Sequence, residues 1–562
     1  MLAFIPLALL LLLSHVDAKQ NKPFALEAEG QKPGRWLGLH LSNQPALRRR
    51  DAQSLDAGIS QLALSADGSS YYTVLEIGNI SFRLSLDTGS SDLWVLSSAC
   101  TSKDFCKSLP SYPLSFQSPS FEAINSNQTT FNISFADGTI SSGFLAKETV
   151  QLNNFSIPNQ VIGFVNATNV TLESEISGVL GMGFPRLSAF PSLISNSTPF
   201  INGLAQQGLL DYPMFGLSLT RQSNGTLTLG AIDAGVVKNV SSIEWHKVMS
   251  FSPFGSESNT SSYLQWAVRM PGFGVNGTTF KTNPTYPNIT ETSLALLDVG
   301  TNGIFGPYQD VSRLFSSIGE ARLVDSEVGQ WALPCDTEEV LSFNFGQGNF
   351  TLQPTDFLIG PIIEDPSFCL TWPRAVQNAG DGIDWQLGAP FLRTVYSIFS
   401  YGIDGKEPPM IGFYPLSNVT TFSENSSYIS AFFSSASATV TTTLPNVLLP
   451  TPSASTASYL FNTSIPASAG AVVSSALGAS TYSALLTATS VNASALPTIT
   501  LSPALVTLLV TGASGMVITT TSAAPSSSIA LGVPPGDRSA NSALLAIGIY
   551  HTKAYFLTSF AS

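Results

Sequence analysis

Twice in this chain an apolar, strand-like run ends in aspartate with a glycine two residues on: "FRLSLDTGSS" at residues 82–91 and "LALLDVGTN" at residues 294–302. In each, the chain should leave a strand, turn sharply at glycine (Gly89, Gly300) and present a carboxylate (Asp87, Asp298) among hydroxyl donors. The donors are Thr88 and Ser90 in the first loop and Thr301 in the second. A chain that builds the same strand-and-turn twice is best accommodated by two similar lobes, each contributing one loop to a shared site.

The segment between about residues 68 and 417 supports this. Short alternating or apolar runs such as "YYTVLEIGN", "TTFNISFADGTISSGFLAKETVQL" and "GTLTLGAID" are separated by Gly, Asn, Asp and Pro turns, the pattern of a mainly β protein. Long amphipathic helices are absent from the pattern, with short ones expected near "PFINGLAQQGLL" and "GPYQDVSRLFSSI". After residue 418 the chemistry changes. No Asp, Glu, Lys or Arg occurs from Asn425 to Gly536. A tract of Ser, Thr, Ala and Pro without charge reads as a disordered, O-glycosylated stalk, here placed at 419–536. Residues 537–562 have the position and length of a C-terminal anchor signal, interrupted by His551 and Lys553.

The N-terminus has a processing signature. "MLAFIPLALLLLLSHVDA" is a short apolar core ending in small residues, which predicts a secretory signal peptide over 1–18. Residues 19–50 carry more Lys and Arg than Asp and Glu and end in the tribasic Arg48–Arg50, a site for a kexin-like protease. This reads as a propeptide. A basic strip over an acidic body, loosened as carboxylates protonate, would give latency at neutral pH. Export fits the seventeen Asn-x-Ser/Thr sequons, among them Asn79, Asn132, Asn166, Asn224 and Asn349. Asn79 and Asn132 fall in strand-like runs and are the sequons expected to stay bare. Partners are therefore N- and O-linked glycans, with secretion, or cell-wall or membrane attachment through a glycolipid anchor, as the destination. The net charge of -13 and the lack of a basic stripe exclude nucleic acid as a partner class. Four cysteines, Cys100, Cys106, Cys335 and Cys369, suggest two local pairs in an oxidising compartment, although spacing alone leaves crossed pairing open.

Elimination narrows the chemistry. Of the four histidines, His15 and His40 lie in segments expected to be removed, His551 is in the tail, and His246 in "EWHKV" has neither an HExxH pattern nor a second imidazole nearby. That disfavours a Ser/His/Asp triad and a histidine zinc site; a strand or surface histidine is the reading here, and no metal or other cofactor is called for. Two carboxylates remain. Held within hydrogen-bonding reach they would share one proton, and such a pair can deprotonate a water while protonating a carbonyl oxygen.

At this point the chain resembles the pepsin-like aspartic proteases, above all their secreted fungal members. "LDTGSSDLWV" matches the family's first active-site motif through Trp94, "SFADGTISSGFLAKETVQL" resembles its flap hairpin, and "ISGVLGMGFP", "WQLGAPFLRTVYSIFSYG" and "MIGFYPL" follow in the family's order. The resemblance implies a bilobal fold, an N-terminal lobe over 51–240 and a C-terminal lobe over 241–418, with a peptide cleft between them. It implies an aspartic endopeptidase acting on peptides or proteins, monomeric, with Asp87 and Asp298 as the dyad. Thr88, Gly89, Ser90, Val299, Gly300 and Thr301 would support the dyad, and Phe135, Asp137, Gly138, Thr139 and Trp94 would form the flap and its partner. The disulfides implied are Cys100–Cys106 and Cys335–Cys369.

Three positions depart from the family pattern. Its loops are cross-braced by a hydroxyl directly after each aspartate; Thr88 keeps one half and Val299 lacks the other, at a cost of about 1–3 kcal/mol for a buried group left without its partner. A looser dyad is expected. Phe135 stands where the flap usually has Tyr, which predicts weaker closure over substrate, and Ser177 replaces the Asp before "GVLG". The competing reading is a non-catalytic wall or surface glycoprotein that keeps the fold as a peptide-binding or structural module.

Overall fold

The computed structural model describes residues 56–106, 109–173, 175–221, 225–250, 263–416, 423–434, 482–487 and 489–500, and the backbone of 505–511 and 517–523. The expected signal peptide, propeptide and anchor signal lie outside the described residues.

The strand carrying Asp87, Ile80–Asp87, alternates as its sequence does: Phe82, Leu84 and Leu86 are buried, while Ser81 and Arg83 face solvent. Its counterpart Ser293–Leu297 is apolar from Leu294 onward and buried along its whole length, as a strand covered on both faces requires. Each strand sits in the same five-strand pattern. In the first lobe, Ile80–Asp87 pairs antiparallel with Tyr71–Ile77 and parallel with Gly178–Gly181, which pairs antiparallel with Leu93–Leu96, which in turn runs parallel to Phe155–Thr168. In the second lobe, Ser293–Leu297 pairs antiparallel with Ala267–Met270 and parallel with Trp385–Leu387, which pairs antiparallel with Ile304–Pro307, which runs parallel to Arg374–Val376. The chain visits the five positions in the same order both times. The duplicated motif is thus a duplicated lobe, and the fold is the mainly β, bilobal one.

Six antiparallel strands join the lobes behind the site, in the order Glu244–Lys247, Met410–Pro415, Val395–Ser400, Met214–Ser218, Gly225–Leu229 and Gly58–Leu64. A continuous apolar core runs from Leu84, Leu86 and Phe164 in the first lobe through Phe215, Trp266 and Phe399 to Leu294, Phe343 and Trp385 in the second. His246 is a buried strand residue against Phe345 and Phe413, and burial pushes its imidazole down to about 4. The short helices form at Phe200–Gln206 and Tyr308–Ser316. Disulfides link Cys100 to Cys106 and Cys335 to Cys369, which resolves the pairing that spacing left open.

Two findings differ from the sequence reading. Asn79 is not a strand residue but an exposed turn residue at φ 64°, and Asn132, on the strand Thr130–Ser134, is exposed as well. The tail is also not uniformly without structure. Residues Ser426–Ser434 form a helix that buries Ile429 and Phe433, one turn apart. Farther on, residues 482–487 and 489–500 lie along the joining sheet: Tyr482, Leu486 and Leu496 are buried, and Thr498–Ile499 adds a parallel strand to Ile232–Asp233. The physical reason is that a few apolar side chains at the right spacing suffice to dock a segment onto an existing core, and a composition average hides them.

Candidate active site

The two aspartate loops meet. The Gly89 N–H donates to Asp87 Oδ1 at 2.8 Å and to Asp298 Oδ1 at 3.0 Å, so a single backbone donor touches both carboxyls. The glycines are demanded by this approach. A Cβ on Gly89 would sit 2.8 Å from Asp298 Oδ2, and one on Gly300 would sit 2.6 Å from Asp87 Oδ1, which no side chain tolerates. Ser90 Oγ donates to Asp87 Oδ2 at 2.5 Å and Thr301 Oγ1 to Asp298 Oδ2 at 2.7 Å. The Gly300 N–H completes Asp298 Oδ1 at 3.0 Å. Burial first, and the charge of Asp298 second, push Asp87 up to about 7, while its bonds to Ser90 and Gly89 oppose the rise.

The cross-brace is half present. Thr88 Oγ1, fully buried, donates to the Leu297 carbonyl at 2.9 Å and accepts from the Val299 N–H at 3.0 Å. Val299 is buried in the corresponding place and has no hydroxyl with which to return the pair. The loops remain seated because their backbones are tied elsewhere. The Met182 N–H donates to the Asp87 carbonyl at 2.7 Å, and the Met182 carbonyl accepts from Trp266 Nε1 at 3.1 Å and from the Tyr401 hydroxyl at 2.8 Å. In the second lobe the Asp298 N–H donates to the Leu387 carbonyl at 3.1 Å.

The expected flap residues lie in the hairpin between Thr130–Ser134 and Ile140–Leu152. The Phe135 N–H donates to the Thr139 carbonyl at 2.8 Å, and the Gly138 N–H, at φ 83°, to the Phe135 carbonyl at 3.0 Å. Asp137 Oδ1 accepts from the Thr139 N–H and hydroxyl at 2.9 and 2.7 Å, which ties the tip to itself. Phe135 leans over the buried Trp94, with ring centroids 6.5 Å apart and planes at 56°. That contact is apolar. Ser177 is buried beside the strand of Trp94, and its hydroxyl finds no partner among the described residues.

The structure thus brings together Asp87, Thr88, Gly89, Ser90, Asp298, Val299, Gly300 and Thr301, and sets Phe135, Asp137, Gly138 and Thr139 in a hairpin whose Phe135 meets Trp94. The four cysteines form the pairs Cys100–Cys106 and Cys335–Cys369, and none of them bonds to a dyad residue. One residue at the site escaped the sequence reading. Gln386 donates from Nε2 to Asp298 Oδ2 at 3.0 Å and to Thr301 Oγ1 at 2.5 Å. The available signal was a lone amide in the apolar strand "WQL".

The description "Eukaryotic aspartyl protease" matches residues 70–405. The chain belongs to the eukaryotic aspartyl protease family. It is 29% identical over 351 residues to an aspartic protease of Phaffia rhodozyma, covering 61% of this chain and 77% of that one. It is 28% identical over 376 residues to major aspartyl peptidase 1 of Cryptococcus neoformans, covering 65% and 72%. It is also 29% identical over 362 residues to rhizopuspepsin-4 of Rhizopus niveus, covering 62% and 78%. By family the chain is an aspartic-type endopeptidase, and all of the dyad, brace and flap residues lie inside the matched region.

Proposed function

We propose that this aspartic endopeptidase is secreted and hydrolyses peptide bonds at acidic pH with Asp87 and Asp298 sharing one proton. The observation that carries this reading is the single Gly89 N–H bonded to both carboxyls. Two such groups so close do not both ionise readily, so one acid and one carboxylate coexist over the acid range. The carboxylate takes a proton from water as its oxygen attacks the scissile carbonyl, and the acid protonates the carbonyl oxygen; the resulting gem-diol collapses with the proton passed to the leaving amine. No covalent enzyme intermediate is involved. The hairpin around Phe135 closes over an extended peptide, with bulky apolar side chains favoured on both sides of the cut.

The signal peptide 1–18 and the propeptide 19–50, removed after Arg50, precede the two lobes at 51–240 and 241–418. The tail 419–536 acts as a glycosylated stalk outside its docked stretches, with attachment through 537–562. The processed protein is assayed on a mixed peptide library between about pH 3 and 6, with pepstatin and Asp87→Asn as controls. Pepstatin-sensitive cleavage that the variant lacks supports the reading. Folded protein that binds pepstatin without turnover supports the non-catalytic peptide-binding module instead.

A further inference from the structure

Gln386 lies in the strand Trp385–Leu387, where its backbone is paired with Leu296 on one side and Phe305 on the other. Its amide faces two oxygens, Asp298 Oδ2 and Thr301 Oγ1. The Thr301 hydroxyl has already committed its hydrogen to Asp298 Oδ2. Both oxygens therefore accept, and only the NH2 end of the Gln386 amide satisfies them. The result is an unequal pair. Asp298 receives four donors: the Gly89 and Gly300 N–H groups on Oδ1, and Thr301 and Gln386 on Oδ2. Asp87 receives two, from Gly89 and Ser90. Thr88 Oγ1 stands 3.5 Å from Asp298 Oδ1 with its hydrogen directed to the Leu297 carbonyl, so it adds nothing to either side.

We propose that Gln386 is a positioning residue of the dyad: its amide donors hold the Asp298 carboxylate and the Thr301 hydroxyl in place and assign the shared charge to Asp298, leaving the proton on Asp87. This rests on the reading of Asp87 and Asp298 as the reacting pair. When two like carboxyls share a proton, the charge settles on the one that receives more donors. Among the described residues, the ionisable group facing Asp298 is Asp87. Arg374, on the strand beyond Phe305, acts on Asp325 and Tyr308 instead. Asp298 then serves as the base toward water and Asp87 as the acid toward the carbonyl oxygen. Gln386 also supplies the second lobe's loop with a side-chain anchor that Val299 does not.

The test compares wild type with Gln386→Leu and Gln386→Glu, following kcat and KM against pH on a peptide substrate. The carboxyls are also titrated by 13C NMR, with the pair's signals assigned by their loss in Asp87→Asn and Asp298→Asn. In Gln386→Leu the acidic limb of kcat/KM and the first deprotonation of the pair should both move up by about one pH unit, a tenfold change in proton affinity, with kcat falling and KM nearly unchanged. Gln386→Glu, of the same shape, keeps one of the two donors where its carboxyl is protonated, so it should fall between wild type and Gln386→Leu there, and lose activity as it ionises. A folded Gln386→Leu with both limbs unmoved, or with only KM raised, overturns the proposal. So does a Gln386→Glu that matches wild type at every pH, which decides the matter if the leucine variant fails to fold. The NMR titration needs no turnover. A wild type that does not cleave would refute the enzymatic reading alone, and the titration shift would still decide for or against Gln386.

Discussion

Replacing Val299 by threonine restores a hydroxyl at a buried position without changing the side chain's shape, so its effect reads the brace and little else. The existing half shows what the hydroxyl needs. Thr88 Oγ1 donates to Leu297 O at 2.9 Å and accepts from Val299 N at 3.0 Å. By the repeated topology, a hydroxyl at 299 would donate to the Leu86 carbonyl and accept from the Thr88 N–H. Each bond contributes about 0.5–1.5 kcal/mol net. Burying the new hydroxyl offsets part of that, so Val299→Thr should gain about 1 kcal/mol, or roughly 2 °C in a body of this size. Its control, Thr88→Val, orphans the Val299 N–H and the Leu297 carbonyl and should cost at least about 2 kcal/mol, because each unpaired buried group costs about 1–3 kcal/mol. Urea unfolding of the processed body, read by tryptophan fluorescence, measures both. A Val299→Thr protein less stable than wild type by about 1 kcal/mol would refute the reasoning, since a hydroxyl there would then lack partners. So would a Thr88→Val protein that loses nothing.

Three further outcomes are expected. Burial raises Asp87 to about 7 and Asp92, Asp310 and Asp381 to about 6, from an ordinary value of 3.8. The folded state thus keeps protons that the unfolded chain releases, stability falls as pH rises from about 4 to 7, and thermal unfolding across that range should show a declining midpoint with a shallower slope in Asp92→Asn. Phe135→Tyr adds the flap hydroxyl beside Trp94, whose ring centroid lies 6.5 Å away, and should raise kcat/KM roughly fivefold, the worth of one hydrogen bond of about 1 kcal/mol, with no change in unfolding temperature. Glu407→Ala removes the carboxylate that accepts from the Leu485 and Leu486 N–H groups, both at 2.9 Å, and from Tyr212 at 2.6 Å. The Leu486 N–H and the Tyr212 hydroxyl lose this acceptor, and the Leu485 N–H keeps only the Tyr212 oxygen at 3.1 Å, which should free the docked stretch from residue 482 and give a new early cut there in limited proteolysis.

The lobes and their loops were legible because they are local. An alternating strand ending in Asp-x-Gly dictates both its own burial pattern and the turn after it, and the motif's second occurrence implies a second lobe. Val299 and Phe135 could be singled out for the same reason, since each occupies a fixed offset from a recognisable motif. Gln386 was not legible. Its partner Asp298 is distant in sequence, and the contact exists only because Trp385–Leu387 runs parallel to Ser293–Leu297, a register that no local pattern states. The docked tail was missed on different grounds: its anchors are Tyr482, Leu486 and Leu496, three apolar residues in a tract whose average composition is that of a stalk.

The two lobes are copies in topology but not in duty. The first supplies the brace through Thr88, and the second supplies most of the donors that surround the charge. A symmetric pair would leave the proton divided between equivalent carboxyls. Here the second loop has valine at 299 where the first has the bracing Thr88, and the neighbouring strand Trp385–Leu387 brings the amide of Gln386 to Asp298. Loss of a brace alone would loosen both carboxyls alike. The bonds from Gln386 act on one of them, so substitutions at 299 and 386 should separate in what they change: stability for the first and pH dependence for the second. A double variant, Val299→Thr with Gln386→Leu, should therefore keep the stability gain of one and the shifted acidic limb of the other, each within error of its single variant. Strong coupling in either readout would mean that the loop answers to both residues through a single motion.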